Sequence, residues 1–116
     1  MINEDILNMI KIYNTYEVDW MGDKISSPSD LTRHHIVKKE KGGIDDISNY
    51  ALLTRKSHEL LHYLEDNYYS EYVKLNYLFL MLNRTNKTPT SDYFETIKSI
   101  MKKVRKDIKN KRRGRK

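Results

Sequence analysis

The 116 residues contain no cysteine, two prolines, four glycines and one tryptophan. Without cysteine there are no disulfide staples, no zinc ribbon and no thiol chemistry, and a reducing cytoplasm is the default location. So few prolines and glycines argue against a sandwich or barrel, which needs many tight turns. There is no run of about 18 apolar residues, no charged-then-apolar leader and no lipidation signal, so no membrane partner is expected. A hydrophobic fraction of 38% against a charged fraction of 33% suits a small, surface-rich, mostly helical chain with one core.

What is abundant is positive charge at one end. Lys102, Lys103, Arg105, Lys106, Lys109, Lys111, Arg112, Arg113, Arg115 and Lys116 stand against the single acid Asp107, a local charge of +9 within a total of +6, so residues 1–101 sum to −3. An acidic body with a cationic arm points to nucleic acid. These ten residues are the candidate backbone contacts.

Hydrophobic periodicity divides the rest of the chain. Residues 3–16 open with Asn3 as an N-cap, and Ile6, Met9, Ile10 and Tyr13 form one helical stripe. Residues 17–33, with Gly22, Pro28 and a Ser/Asp cluster, read as a loop, and Trp20 within it reads as a core plug. His34 to Lys38 alternates and predicts a short strand. Gly42-Gly43 and Asp45-Asp46 then supply turn chemistry. Tyr50 to Leu53 predicts a second strand, and Thr54 an N-cap for a helix starting near Arg55. Residues 67–83 predict a helix that is apolar nearly all round in its second half, which means burial on several sides or an oligomer interface. Asp92 with Glu95 resembles a capping box for a last helix carrying Phe94, Ile97, Met101, Val104 and Ile108.

All four histidines fall in one quarter of the chain, as His34-His35 and as His58 and His62. On a helix, positions four apart project from one face, so His58 and His62 can supply two imidazoles to one ion. A third donor must arrive from elsewhere, and the first strand can bring His34 or His35. Adjacent strand residues point to opposite faces, so one of the two is a ligand and the other is free for acid–base work.

The order His34-His35, Asn49, His58, His62, with Gly42-Gly43 ahead of the asparagine, resembles the HNH endonucleases, most closely the double-histidine form seen in nuclease colicins. The resemblance covers about residues 32–65. It implies an α+β, predominantly helical fold with a ββα-metal (His-Me finger) core, flanking helices and a basic C-terminal tail. Chain length and the charge distribution, rather than the resemblance, predict a single domain over 1–108 and a disordered basic tail over 109–116. By the same resemblance His34, His58 and His62 ligate one divalent ion (magnesium, manganese, zinc or nickel). His35 is the general base and Asn49 holds the strand that bears it. The implied reaction is hydrolysis of DNA phosphodiesters by a one-metal mechanism, leaving 5′-phosphate and 3′-hydroxyl ends, with RNA as the other candidate substrate. Several family members carry a glutamate two positions before the first histidine, where this chain has Thr32.

Arg33, Arg55 and Lys56 flank the histidines as candidate phosphate contacts. The apolar face over 75–82 is the candidate homodimer interface, which double-strand cleavage would need. Two other readings use the same residues. His58-Glu59-Leu60-Leu61-His62 spells the HExxH of zinc proteases, with Glu59 as base, but that reading leaves His34, His35, Asn49 and the cationic arm without roles. The other is a non-catalytic nucleic-acid-binding module on a degenerate site.

Overall fold

A computed structural model describes residues 4–114, with the backbone alone for 112–114. Helix α1 spans Glu4–Ile12, with Glu4 and Asp5 in its first turn, where the helix dipole favours acids. It buries Ile6, Met9 and Ile10. The expected Asn3 cap lies outside the described residues. Asn14, at φ 48, ends the helix as a left-handed cap, with Thr15 N–H returning to Ile10 O at 3.1 Å. Tyr13 lies beyond the helix but is fully buried, and its hydroxyl sits 2.8 Å from both Ile47 O and Tyr50 O.

Strands β1 (Leu31–His35) and β2 (Tyr50–Thr54) form a two-stranded antiparallel sheet in which Thr32 faces Leu53, His34 faces Ala51 and His35 faces Tyr50. The first strand is thus shifted from the expected 34–38, and the double histidine ends it rather than starting it. Ile36 still pairs through its N–H to Asn49 O at 2.9 Å, but Val37 is claimed by the Asn49 side chain, which ends the ladder. Every residue of β2 is buried. Its other edge is covered in part by the 17–24 segment, where Trp20 N–H bonds Leu52 O at 3.0 Å. Trp20 is fully buried, packed 4.7 Å from the Tyr13 ring.

Helix α2 (Arg55–Asn67) follows β2 without a break, capped by Thr54, whose Oγ1 accepts from Ser57 N–H at 3.1 Å. The buried Asp19 carboxylate tightens this junction by accepting from the backbone N–H groups of Thr54, Met21 and Asp23 at 2.8–2.9 Å. Desolvation pushes its carboxyl above the usual range.

Helices α3 (Tyr69–Arg84) and α4 (Ser91–Gly114) complete the fold. The expected Asp92–Glu95 capping box does not form. Thr90 Oγ1 accepts from Tyr93 N–H at 3.3 Å, and Glu95 pairs with Lys98 instead. The basic segment expected to be a disordered tail from 109 is helical through Gly114, and Arg115 and Lys116 lie outside the described residues. Homodimerisation through 75–82 is not supported. Leu75, Phe79 and Leu82 belong to the chain's own core, Leu78 and Leu80 pack against it, and only Tyr77 and Met81 of that face are well exposed. The structure is therefore a ββα core with flanking helices, predominantly helical. No helix among the described residues is long and apolar enough to cross a membrane.

Candidate active site

The end of β1 and one face of α2 meet in a cleft of about 360 Å³ lined by all four histidines together with Arg33, Lys38, Glu65 and Tyr72. Strand alternation sends His34 inward and His35 to the other face, yet both reach the cleft because the strand stops there. His34 is buried, its ring edge-on to His58 with centroids 5.8 Å apart. His58 and His62, one turn apart on α2, stack at 5.0 Å with 16° between ring planes.

The environments of the four rings differ. Burial lowers the His34 imidazole to about 4, and burial followed by the neighbouring His62 and His35 lowers that of His58. Both are neutral at pH 7. His34 Nε2 lies 2.9 Å from Asn76 Oδ1 on α3, and His58 Nδ1 lies 2.7 Å from Thr32 Oγ1 on β1. His62 is two-thirds exposed, with Nδ1 4.0 Å from Glu65 Oε1. His35 Nε2 lies 2.6 Å from Asp45 Oδ1, while Asp45 also holds Lys39 Nζ at 2.9 Å. The hydrogen bond from Lys39, then that from His35, keeps the Asp45 carboxyl below its ordinary range, so it is ionised at neutral pH.

Asn49 closes the loop between the strands. Its Oδ1 accepts from Val37 N–H at 2.9 Å, and its Nδ2 reaches Val37 O at 2.9 Å and Ile44 O at 3.0 Å. The side chain thereby does the work of a missing strand partner just past His35. The two glycines of this loop have separate reasons: Gly42 sits at φ 90, whereas a Cβ on Gly43 would fall 1.8 Å from Val37 O.

The flanking cations are spread unevenly. Arg33 reaches the cleft, with its Nη1 2.9 Å from Asp5 and its guanidinium 5.1 Å from the Tyr50 ring centroid. Arg55 and Lys56 are exposed and do not line the cleft; Arg55 Nε is 3.9 Å from Asp30. Lys102, Lys103, Arg105, Lys106 and Lys109 are exposed along α4, and Lys111 lies 5.5 Å from the Tyr68 ring centroid. The side chains of Arg112 and Arg113 are outside the described residues. Glu59, the base of the protease reading, is exposed and absent from the cleft wall.

Sequence reasoning missed Asp45, Asn76, Thr32, Glu65 and Lys38, the last two being ion-paired with each other. Asn76 was the findable one, a lone amide inside the apolar run of α3. Asp45 reads as turn chemistry in sequence, and only the folded loop sets it against His35.

Imidazoles held neutral by burial are in the protonation state that a divalent cation requires, so the donor set fits such an ion in kind. Its arrangement is one step short. Among the described residues no three His, Asp or Glu side chains stand as a ready ligand cage.

Residues 21–63 match the family model described as HNH endonuclease. That stretch contains β1, the loop, β2 and most of α2, with all four histidines. Comparisons with curated proteins and with solved structures return no match.

Proposed function

We propose, from the match of residues 21–63 to the HNH endonuclease family model, that this protein hydrolyses DNA phosphodiester bonds with His35 as general base. The observation that carries the reading is the gathering of all four histidines at the meeting of a strand end and a helix face. The Asp45 carboxylate accepts the His35 Nε2–H bond and so orients the ring, leaving Nδ1 to take a proton from an attacking water. The same carboxylate stabilises the imidazolium that results. An imidazole suits the task because its ordinary pKa of about 6.5 lies near neutral pH. Arg33 supplies a planar donor for a phosphate oxygen, in competition with Asp5.

His34, His58 and His62 are the residues that would hold one divalent cation: magnesium, manganese, zinc or nickel. When bound, such an ion supplies positive charge for the phosphate and for the departing 3′ oxygen, which fits 5′-phosphate and 3′-hydroxyl products. The exposed cations of α4 add sequence-independent affinity for the backbone.

Relaxation of supercoiled plasmid, with each metal and with chelator, tests this reading on wild type, His35→Ala and His58→Ala. Metal-dependent nicking that both substitutions abolish is the expected result, and nicking that survives both would refute the site. A second reading, a non-catalytic nucleic-acid-binding module, draws on the absence of a ready ligand cage among the described residues. It predicts salt-sensitive DNA retention with no cut in any metal.

A further inference from the structure

Each metal-holding histidine must present a bare ring nitrogen, and a neutral imidazole offers two candidates. The hydrogen bonds around His58 and His34 decide between them. Thr32 Oγ1 lies 2.9 Å from Leu53 O, its partner across the ladder, and 2.7 Å from His58 Nδ1. A carbonyl oxygen only accepts, so the single hydroxyl proton of Thr32 goes to Leu53, and the hydroxyl oxygen must accept from His58. His58 therefore carries its proton on Nδ1 and keeps the lone pair on Nε2.

The same logic applies on the other side of the cleft. Asn76 Nδ2 donates to Ile36 O at 2.7 Å, which fixes the amide, because the reversed orientation would set two oxygens against each other. Asn76 Oδ1 then faces His34 Nε2 at 2.9 Å and can only accept. His34 carries its proton on Nε2 and keeps the lone pair on Nδ1. His62, whose Nδ1 is 4.0 Å from the nearest carboxylate oxygen, has no such restraint.

We propose that Thr32 and Asn76 are positioning residues that impose opposite tautomers on His58 and His34, so that His58 Nε2 and His34 Nδ1 are the atoms offered to a divalent cation. The tautomers follow from the hydrogen bonds alone; the cation rests on the nuclease reading. Thr32 thus has a defined task, bridging Leu53 O and the His58 ring. Both restraints come from outside α2, so β1 and α3 decide which nitrogen of each ring keeps its lone pair. Partners of this kind set a ligand's orientation, and losing one costs about 10–100-fold in metal affinity.

The test is made on the full chain, 15N-labelled, chelator-treated and held near pH 8, with long-range 1H–15N correlation of the histidine rings. His58 is expected as the Nδ1–H form and His34 as the Nε2–H form. The Nδ1–H form is the less favoured one for a free histidine, so finding it at His58 is the sharper sign. Thr32→Val should move His58 to the Nε2–H form and Thr32→Ser should not. In zinc titration calorimetry Thr32→Val and Asn76→Leu should each weaken binding about 10–100-fold, with Thr32→Ser near wild type. A wild-type His58 in the Nε2–H form overturns the proposal, as does a Thr32→Val variant that keeps both the tautomer and the zinc affinity of wild type. If the tautomers stand as assigned while wild type cuts no plasmid in any metal, the nuclease reading fails and this assignment survives.

Discussion

The two ends of the histidine cleft are built on opposite terms. At the inner end His34 is buried and His58 half-buried, both are neutral, and each is tied by a ring nitrogen to an uncharged partner, Asn76 or Thr32. At the outer end His35 and His62 lie among charges: Asp45 with Lys39, and Glu65 with Lys38. Burial without charge keeps a donor pair unprotonated, which is what holding a cation demands. At His35 the ionised Asp45 carboxylate accepts the ring N–H, the contact the proposed base would use, while His62, the third proposed ligand, is the open ring of α2. The histidines of α2 show the contrast at one turn's distance, His58 half-buried and restrained, His62 open.

The largest expected effect sits at the outer end. His35→Ala should reduce plasmid nicking about 10²–10⁴-fold, the usual worth of a general base, while the urea midpoint of unfolding stays near wild type. A midpoint that fell with the activity would make His35 a packing residue and erase the contrast.

The inner end should show itself in the pH dependence of stability. The folded His34 pKa, about 4, lies below the unfolded value of about 6.5, so the unfolded chain binds more protons between them. Stability is therefore full above about pH 6.5 and is lost as pH falls toward 4. From pH 7 to pH 5 the metal-free protein should lose about 2 kcal/mol through this group, measurable by urea unfolding at the two pH values. His62→Ala should leave that loss in place and His34→Phe should reduce it; the reverse pattern would put the buried titration at the wrong end.

Gly43→Ala separates the ends structurally. Its Cβ would collide with the Val37 carbonyl, so the loop carrying Asp45 must shift, at a cost of about 1–3 kcal/mol. Nicking should fall with little change in zinc affinity. Equal loss of both would mean that the loop also supports the inner end.

The smallest effect belongs to α4. Replacing exposed Lys102, Lys103 and Lys106 by alanine should lower the slope of log affinity against log salt by about 0.9 for each lost phosphate contact, as read by fluorescence anisotropy with a short duplex. An unchanged slope would remove α4 from the DNA interface.

Much of this arrangement is legible in the residues. The helix from Arg55 with its Thr54 cap follows from local chemistry, and so does the pairing of His58 with His62 on one face, because caps and i, i+4 spacing are local rules. The start of β1 is not legible. Ile36 and Val37 look like strand residues, but the register is set by the Tyr50–Thr54 partner and by Asn49, which takes Val37 out of the ladder. The length of α4 is misread for a related reason, since a run of Lys and Arg reads as solvated tail although each residue is a sound helix former. The restraints on the rings were hidden most deeply. Asn76 is 42 residues from His34 and Thr32 is 26 from His58, and only the packing of α3 and β1 against α2 brings them together.

Division of labour between the two ends is tested most directly by the metal affinity of His35→Ala, measured by zinc titration beside wild type and His58→Ala. Wild-type affinity in His35→Ala, together with strongly weakened binding in His58→Ala, is the result predicted. If His35→Ala lost affinity as severely as His58→Ala, the base would be a ligand and the two ends would be one.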